Sequence, residues 1–267
     1  MKHVTIHKKL GETPLQTLIR VRELYRLAKD IPLAYAGRLD PMAEGILLVL
    51  IGDTCKKQAE YHNLDKEYLF EILFDFESDT GDILGMPTHA TSPNPSLEAL
   101  RALSHTKPRP FTAPYPVYSS KTVRGKPLFL WTLEDKLDEI MIPEITTTLY
   151  RMTYLDSYTQ TPAQAKDYIH TRINSLPHVT ETSKALGADF RRADILPAWD
   201  TLLSPTLPSL QIARFSVICS SGTYIRSLAP HLARALGTTG LAYSIRRTTI
   251  GRYIPLPLLG GFWIKKY

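Results

Sequence analysis

Asp40 is the side chain best placed for chemistry. It lies in the stretch YAGRLDPMAEG, on a loop bracketed by Gly37 and Gly45. Pro41 pushes it away from helical dihedrals and onto a turn. The apolar run Ile46 to Ile51 follows, with the pattern of a fully buried strand. An acid on a rigid loop at the mouth of a core strand is well sited to react. Taken alone, an Asp before a Pro is more often a turn former. Tyr68 is a second candidate: its ring can stack on a base and its phenol can accept a proton, although core packing is the ordinary role of such a tyrosine.

The elements that must hold these residues are legible from periodicity. Lys66 to Phe76 alternates, with Tyr68, Phe70, Ile72, Phe74 and Phe76 on one face, and predicts a long strand closed by the turn Ser78 to Asp82. Thr13-Pro14-Leu15-Gln16 reads as a capped helix start, followed by Leu15, Leu18, Val21 and Leu24/Tyr25 at helical spacing. A short helical patch over 96–104 interrupts a proline-rich loop spanning 86–116. Strands are predicted over 118–130 and 145–157, with a helix over 130–140 between them. Residues 160–205 are polar and helix-prone, notably 163–173 and 183–192, and read as an inserted helical subdomain. The final unit is a strand over 210–219, with Ala213, Phe215, Val217 and Cys219 on one face. A helix capped by Thr223 follows, with Leu228, Leu232 and Leu236 as its stripe and Gly237 as its end.

Composition narrows the function. No apolar stretch of 18 residues is present, and the N-terminus lacks a signal-peptide core, so a cytoplasmic protein is expected. Two cysteines, Cys55 and Cys219, exclude a disulfide framework and a multi-cysteine zinc site, and the eight histidines lack ligand spacing; no metal is expected. The net charge of +6 mildly favours a polyanionic partner. A hydrolase using Asp40 with Asp79 or Asp82 would need two carboxylates opposed across a sugar, and explains neither the helix carrying Arg226 nor the basic charge.

Four separated segments resemble the TruB-type tRNA pseudouridine synthases. They are GRLDPMAEGILLVLIGDTCK, KEYLFEILFDFESDTGDILG, PYPVYSSKTVRGKPLF and CSSGTYIRSLAPHLARALGTTGLAYSIRRTTIGRY, in the family's order. The resemblance implies an α+β fold with a large mixed sheet of roughly eight strands and a central catalytic cleft. It implies a cofactor-free isomerase that converts uridine to pseudouridine at position 55, in the T-loop of tRNA. Asp40 would be the nucleophile, Arg226 its ion-pair partner and Tyr68 the ring packed on the base. Tyr224, Ile245, Asp82, Gly37 and Leu39 would line the pocket. Tyr35, Arg38, Lys121, Arg124, Lys126, Arg246 and Arg247 would contact RNA. The partner would be the T-stem loop of tRNA, bound by a monomer.

Three departures stand out. Tyr35 replaces the family's histidine, keeping a stacking plane without the imidazole. Arg38 makes the loop GRLD rather than GTLD, closer to the ribosomal-RNA (RsuA-type) synthases. No C-terminal PUA module is expected after Tyr267, so residues 1–267 read as one catalytic domain, in which 160–205 supplies substitute contacts. Ribosomal RNA as substrate, or a tRNA chaperone without chemistry, are the alternatives.

Overall fold

The computed structural model describes residues 2–178, 188–256 and 260–267. Thirteen strands are present among them. In chain order they are β1 (His3–Lys8), β2 (Leu33–Ala36), β3 (Glu44–Ile51), β4 (Asp65–Phe74), β5 (Phe76–Ser78), β6 (Pro87–His89) and β7 (Arg109–Pro114). They continue with β8 (Thr122–Val123), β9 (Lys126–Pro127), β10 (Glu144–Gln160), β11 (Leu210–Cys219), β12 (Gly240–Ile254) and β13 (Phe262–Lys266). The helices are α1 (Pro14–Leu24), α2 (Gln58–His62), α3 (Leu97–Ala102), α4 (Leu128–Leu133), α5 (Pro162–Asn174), α6 (Arg192–Leu202) and α7 (Ile225–Ala235).

Among the described residues, nine strands make one mixed sheet in the order β1-β3-β12-β4-β11-β10-β7, with β2 added on β3 and β13 on β12. The α+β class and the large mixed sheet match expectation. Every pairing in this sheet is antiparallel except β3 with β12. That parallel contact is short: Arg246 opposite Glu44 and Arg247 opposite Gly45. It joins the loop of Asp40 to a strand some two hundred residues downstream.

The aromatic face of β4 is where alternation placed it. Phe70, Ile72, Phe74 and Phe76 are buried, and Phe70 stacks on Phe215 of β11 at 5.6 Å. Asp75, at φ +68°, breaks the run, so one predicted strand becomes β4 and β5. The capping box of α1 is present, Thr13 and Gln16 bonding each other's backbone amides. Its buried face differs from expectation: Thr17 and Val21 are buried, whereas Leu15 and Leu24 are exposed.

Other boundaries move as well. The strand expected over 118–130 is a two-residue hairpin, β8–β9, followed directly by α4, and the helix expected over 130–140 ends at Leu133. Arg124 and Gly125 both adopt positive φ, the geometry that closes such a hairpin. Strands β6 and β7 occupy what was expected to be mostly loop. In the insertion, α5 and α6 join the main core through Ala165, Ile169, Ile173, Ile195 and Trp199. The helix expected over 183–192 falls partly outside the described residues, and α6 begins only at Arg192.

Gly45 is indispensable to the parallel contact. Its φ is +111°, and a Cβ there would strike the carbonyl oxygen of Arg247. Gly45→Ala is expected to lower unfolding free energy by about 2 kcal/mol or more, measured by urea titration. A neutral result would show that β3 and β12 can separate without loss.

Candidate active site

A cleft of about 730 Å³ opens above the middle of the sheet and is lined by Asp40, Tyr68, Asp82, Tyr224, Arg226 and Ile245, among others. Its chemistry centres on one buried cation. Arg226, in the first turn of α7, donates from Nε to Asp40 Oδ2 at 2.8 Å. Its two terminal nitrogens donate to the carbonyls of Thr80 (3.2 Å) and Tyr118 (3.3 Å). Asp82 Oδ2 stands 3.7 Å from the same Nε. The Arg226 side chain is 5% exposed and that of Asp40 35%, so the pair has a sealed end and an end facing the cleft.

Local sequence explains why the helix starts here. Gly222, at φ +89°, turns the chain out of β11. Thr223 is not the cap that sequence suggests: its hydroxyl bonds the carbonyl of Ser220, and Tyr224 takes the N-cap position without a side-chain bond. Gly81, at φ +74°, lets the turn before Asp82 lie against the backbone carbonyl of Arg226, where any Cβ would collide. Asp82 is 3% exposed and accepts from the Thr80 hydroxyl (2.6 Å) and the Leu84 amide (2.9 Å). Burial pushes its carboxyl up to about 6, against the opposing pull of Arg226.

Arg247 corrects a sequence expectation. It is 1% exposed, and its guanidinium donates to the carbonyls of Ile46 (2.7 Å), Arg38 (3.3 Å) and Gly37 (3.0 Å). It is also an electrostatic neighbour of the Tyr68 phenol. It therefore holds the Asp40 loop by its backbone and has no free face for a phosphate. Alternation along β12 separates the two arginines. Ile245 and Arg247 face the cleft, while Arg246 lines a depression with Glu44, Glu71 and Arg214.

The remaining expected contacts divide. Tyr35, Gly37, Arg38 and Leu39 line the cleft, and Arg38 donates to the Tyr35 hydroxyl at 3.2 Å. Lys121 lies over the ring of Tyr115 at 5.0 Å. Arg124 bonds the carbonyl of Glu139, and Lys126 is paired with Glu134 at 2.7 Å and seated on Trp131. Burial raises the Tyr68 phenol, which stays protonated at neutral pH.

Sequence reading missed two buried lysines. Lys66 bonds the carbonyls of His62 and Leu64 and the hydroxyl of Ser221, and lines the cleft floor. Lys8 bonds the carbonyl of Lys9 at 3.0 Å and reaches that of Pro41 at 3.5 Å, beside Asp40. Burial lowers both amines to about 8. Lys8 is the last residue of β1, and Lys66 stands in β4 on the face of Tyr68, where alternation already placed it. Among the described residues no group of three or more His, Cys, Asp or Glu could hold a metal ion, and no helix is long and apolar enough to cross a membrane.

The fold and cleft define a mixed-sheet α+β protein with a buried arginine–carboxylate centre. A chain of a crystallised Cbf5-Nop10-Gar1 complex shares the fold, at TM-score 0.52 and 15% identity over 94% of this chain and 49% of that one. The model for the TruB family pseudouridylate synthases (N terminal domain) matches residues 23–174, over half of the chain, which therefore belongs to that family. The tRNA pseudouridine synthase B of Borreliella burgdorferi is 27% identical over 250 residues, 93% of this chain and 69% of that protein. Its counterpart from Hydrogenovibrio crunogenus is 26% identical over 253 residues, 93% and 64% respectively. That from Caldanaerobacter subterraneus is 34% identical over 152 residues, 56% and 51%. The chain thus spans about half to two thirds of the length of these proteins.

The Asp82 carboxyl carries a sign-definite prediction. Its folded value near 6 lies above its ordinary 3.8, so its stabilising contribution is complete below pH 3.8 and is lost as pH rises through 6. Relative to Asp82→Asn, the wild-type protein is expected to lose on the order of 2–3 kcal/mol between pH 4 and pH 7 in denaturant titrations. A difference independent of pH would refute the burial argument.

Proposed function

We propose that the protein isomerises uridine to pseudouridine in the T-loop of tRNA, at position 55, with Asp40 as nucleophile. The supporting observation is the 2.8 Å pair of Asp40 with a sealed arginine at the floor of the cleft. An ion-paired carboxylate is aimed by its partner, as a nucleophile must be. The reaction conserves atoms: the N1–C1′ bond breaks, a C5–C1′ bond forms, C5 loses a proton and N1 gains one. Asp40 attacks the nucleotide, and the released base turns in the cleft before rejoining the ribose through carbon.

The base must leave its stack to reach Asp40. Tyr68 and Ile245 are given the role of packing against it, and Tyr224 that of a side wall. A proton-acceptor role for Tyr68 is less suitable, because a phenol raised by burial is not a phenolate. Tyr35 and Arg38 supply a flat, basic edge at the mouth. Lys121, Arg124 and Lys126 follow Ser119 and Ser120, which line the cleft, and suit phosphate contact along its side. Residues 1–267 act in this reading as one catalytic unit that includes 160–205. It needs no cofactor.

The test is to incubate the protein with unmodified tRNA transcript and map pseudouridine by carbodiimide-based sequencing. Product is expected at position 55, together with its loss in Asp40→Asn by at least about 10³-fold and near-unchanged RNA affinity. Product from the Asn variant would exclude Asp40 as nucleophile. Product only in ribosomal RNA would reassign the substrate.

A further inference from the structure

Two cleft residues, Phe190 and Arg191, come from the helical insertion and lie beyond the span matched by the family model. Arg191 reaches Asp79 with two guanidinium nitrogens, at 2.5 and 3.1 Å, and lies over the ring of Tyr118 at 4.6 Å. These partners are not arbitrary. The Tyr118 carbonyl and that of Thr80, next to Asp79, are the two carbonyls that Arg226 grips from inside. One arginine thus holds from the cleft side the two loops that the catalytic-site arginine holds from the core side.

The backbone that delivers Arg191 is costly. Asp189, Phe190 and Arg191 stand at φ +51°, +58° and +56°, three consecutive non-glycine residues in the left-handed region. Such a run persists only where its surroundings over-determine it, and it clusters at functional sites. Behind it, Trp199 of α6 anchors the insertion by donating to the carbonyl of Ile83, next to Asp82, and by packing on Phe76 at 5.4 Å. A phosphate-binding role is the weaker alternative, because Asp79 already engages both nitrogens of the guanidinium fork.

We propose that Arg191 is a positioning residue for the Arg226–Asp40 pair, clamping the Asp79–Asp82 turn and the Tyr118 loop so that Arg226 stays aimed. This rests on the isomerase reading only for its kinetic arm. Single-turnover pseudouridine formation and tRNA affinity are measured for Arg191→Ala, Arg191→Lys, Asp79→Asn and the Arg191→Ala/Asp79→Asn double variant. The rate at saturating enzyme is expected to fall about 10- to 100-fold with Kd within about threefold of wild type. Lys should be intermediate, and the double variant no slower than the slower single one.

A second readout is independent of activity. Solvent exchange of the Arg226 Nε–H proton, assigned by NMR with Arg226→Lys as reference, is expected to accelerate about tenfold or more in the Ala and Asn variants. Should the Ala variant fail to fold, the near-isosteric Asp79→Asn carries both measurements. Unchanged exchange, or a loss confined to Kd, would overturn the proposal. A wild-type protein that isomerises no RNA would instead defeat the proposed function and leave the exchange measurement to decide this one.

Discussion

A guanidinium sealed from water is the constraint around which the molecule is built. Arg226 is fully charged and 5% exposed, so every hydrogen it presents must find an oxygen. The oxygens come from Asp40, Thr80 and Tyr118, with Asp82 close behind, so segments from three parts of the chain must converge on one helix turn. Removing one partner of a buried pair typically costs about 3–5 kcal/mol, because the other charge remains in the interior. Arg247 complements it: Arg226 fixes the Asp40 side chain, and Arg247 fixes the backbone that carries it.

The electrostatics of the cleft floor follow. Lys66, Arg226 and Arg247 are buried there, Lys8 lies alongside, and Asp40 and Asp82 are the facing carboxylates. Most of these cations are tied to carbonyls, which neutralise no net charge. A positive field therefore remains at the base of the cleft even though few of its cations are free. Such a field attracts an anionic chain.

What the sequence made legible was whatever depends on short-range pattern. The buried face of β4, the alternation of β11, the stripe of α7 and the turn at Asp40 all follow from spacing alone. Family resemblance then paired Asp40 with Arg226 across 186 positions, as the structure also does. The unread features depend on tertiary surroundings. Adjacent arginines at 246 and 247 look equivalent in sequence, yet pleating sends them to opposite faces. Alternation puts Lys66 on the face of Tyr68 and Phe70, yet for neither Lys8 nor Lys66 does anything local record that loop carbonyls await the amine. Thr223 failed as a cap because the helix starts one residue later, with Tyr224 at the N-cap, and its hydroxyl donates to the Ser220 carbonyl. The turn at 188–191 has no glycine to announce its left-handed backbone.

The short parallel contact between β3 and β12 has a bearing on how the protein is made. Residues 44 and 45 wait on residues 246 and 247, and the Asp40 loop takes its carbonyl partners from the same late strand. Contacts of such long sequence separation close slowly and after local structure. During synthesis the N-terminal strands can pair early, but the loop between β2 and β3 stays without its anchor until β12 has left the ribosome. A chain cut before β12 therefore carries Asp40 on a loop without the backbone anchor that Arg247 provides. Emergence of β12 is thus the step that completes the cleft.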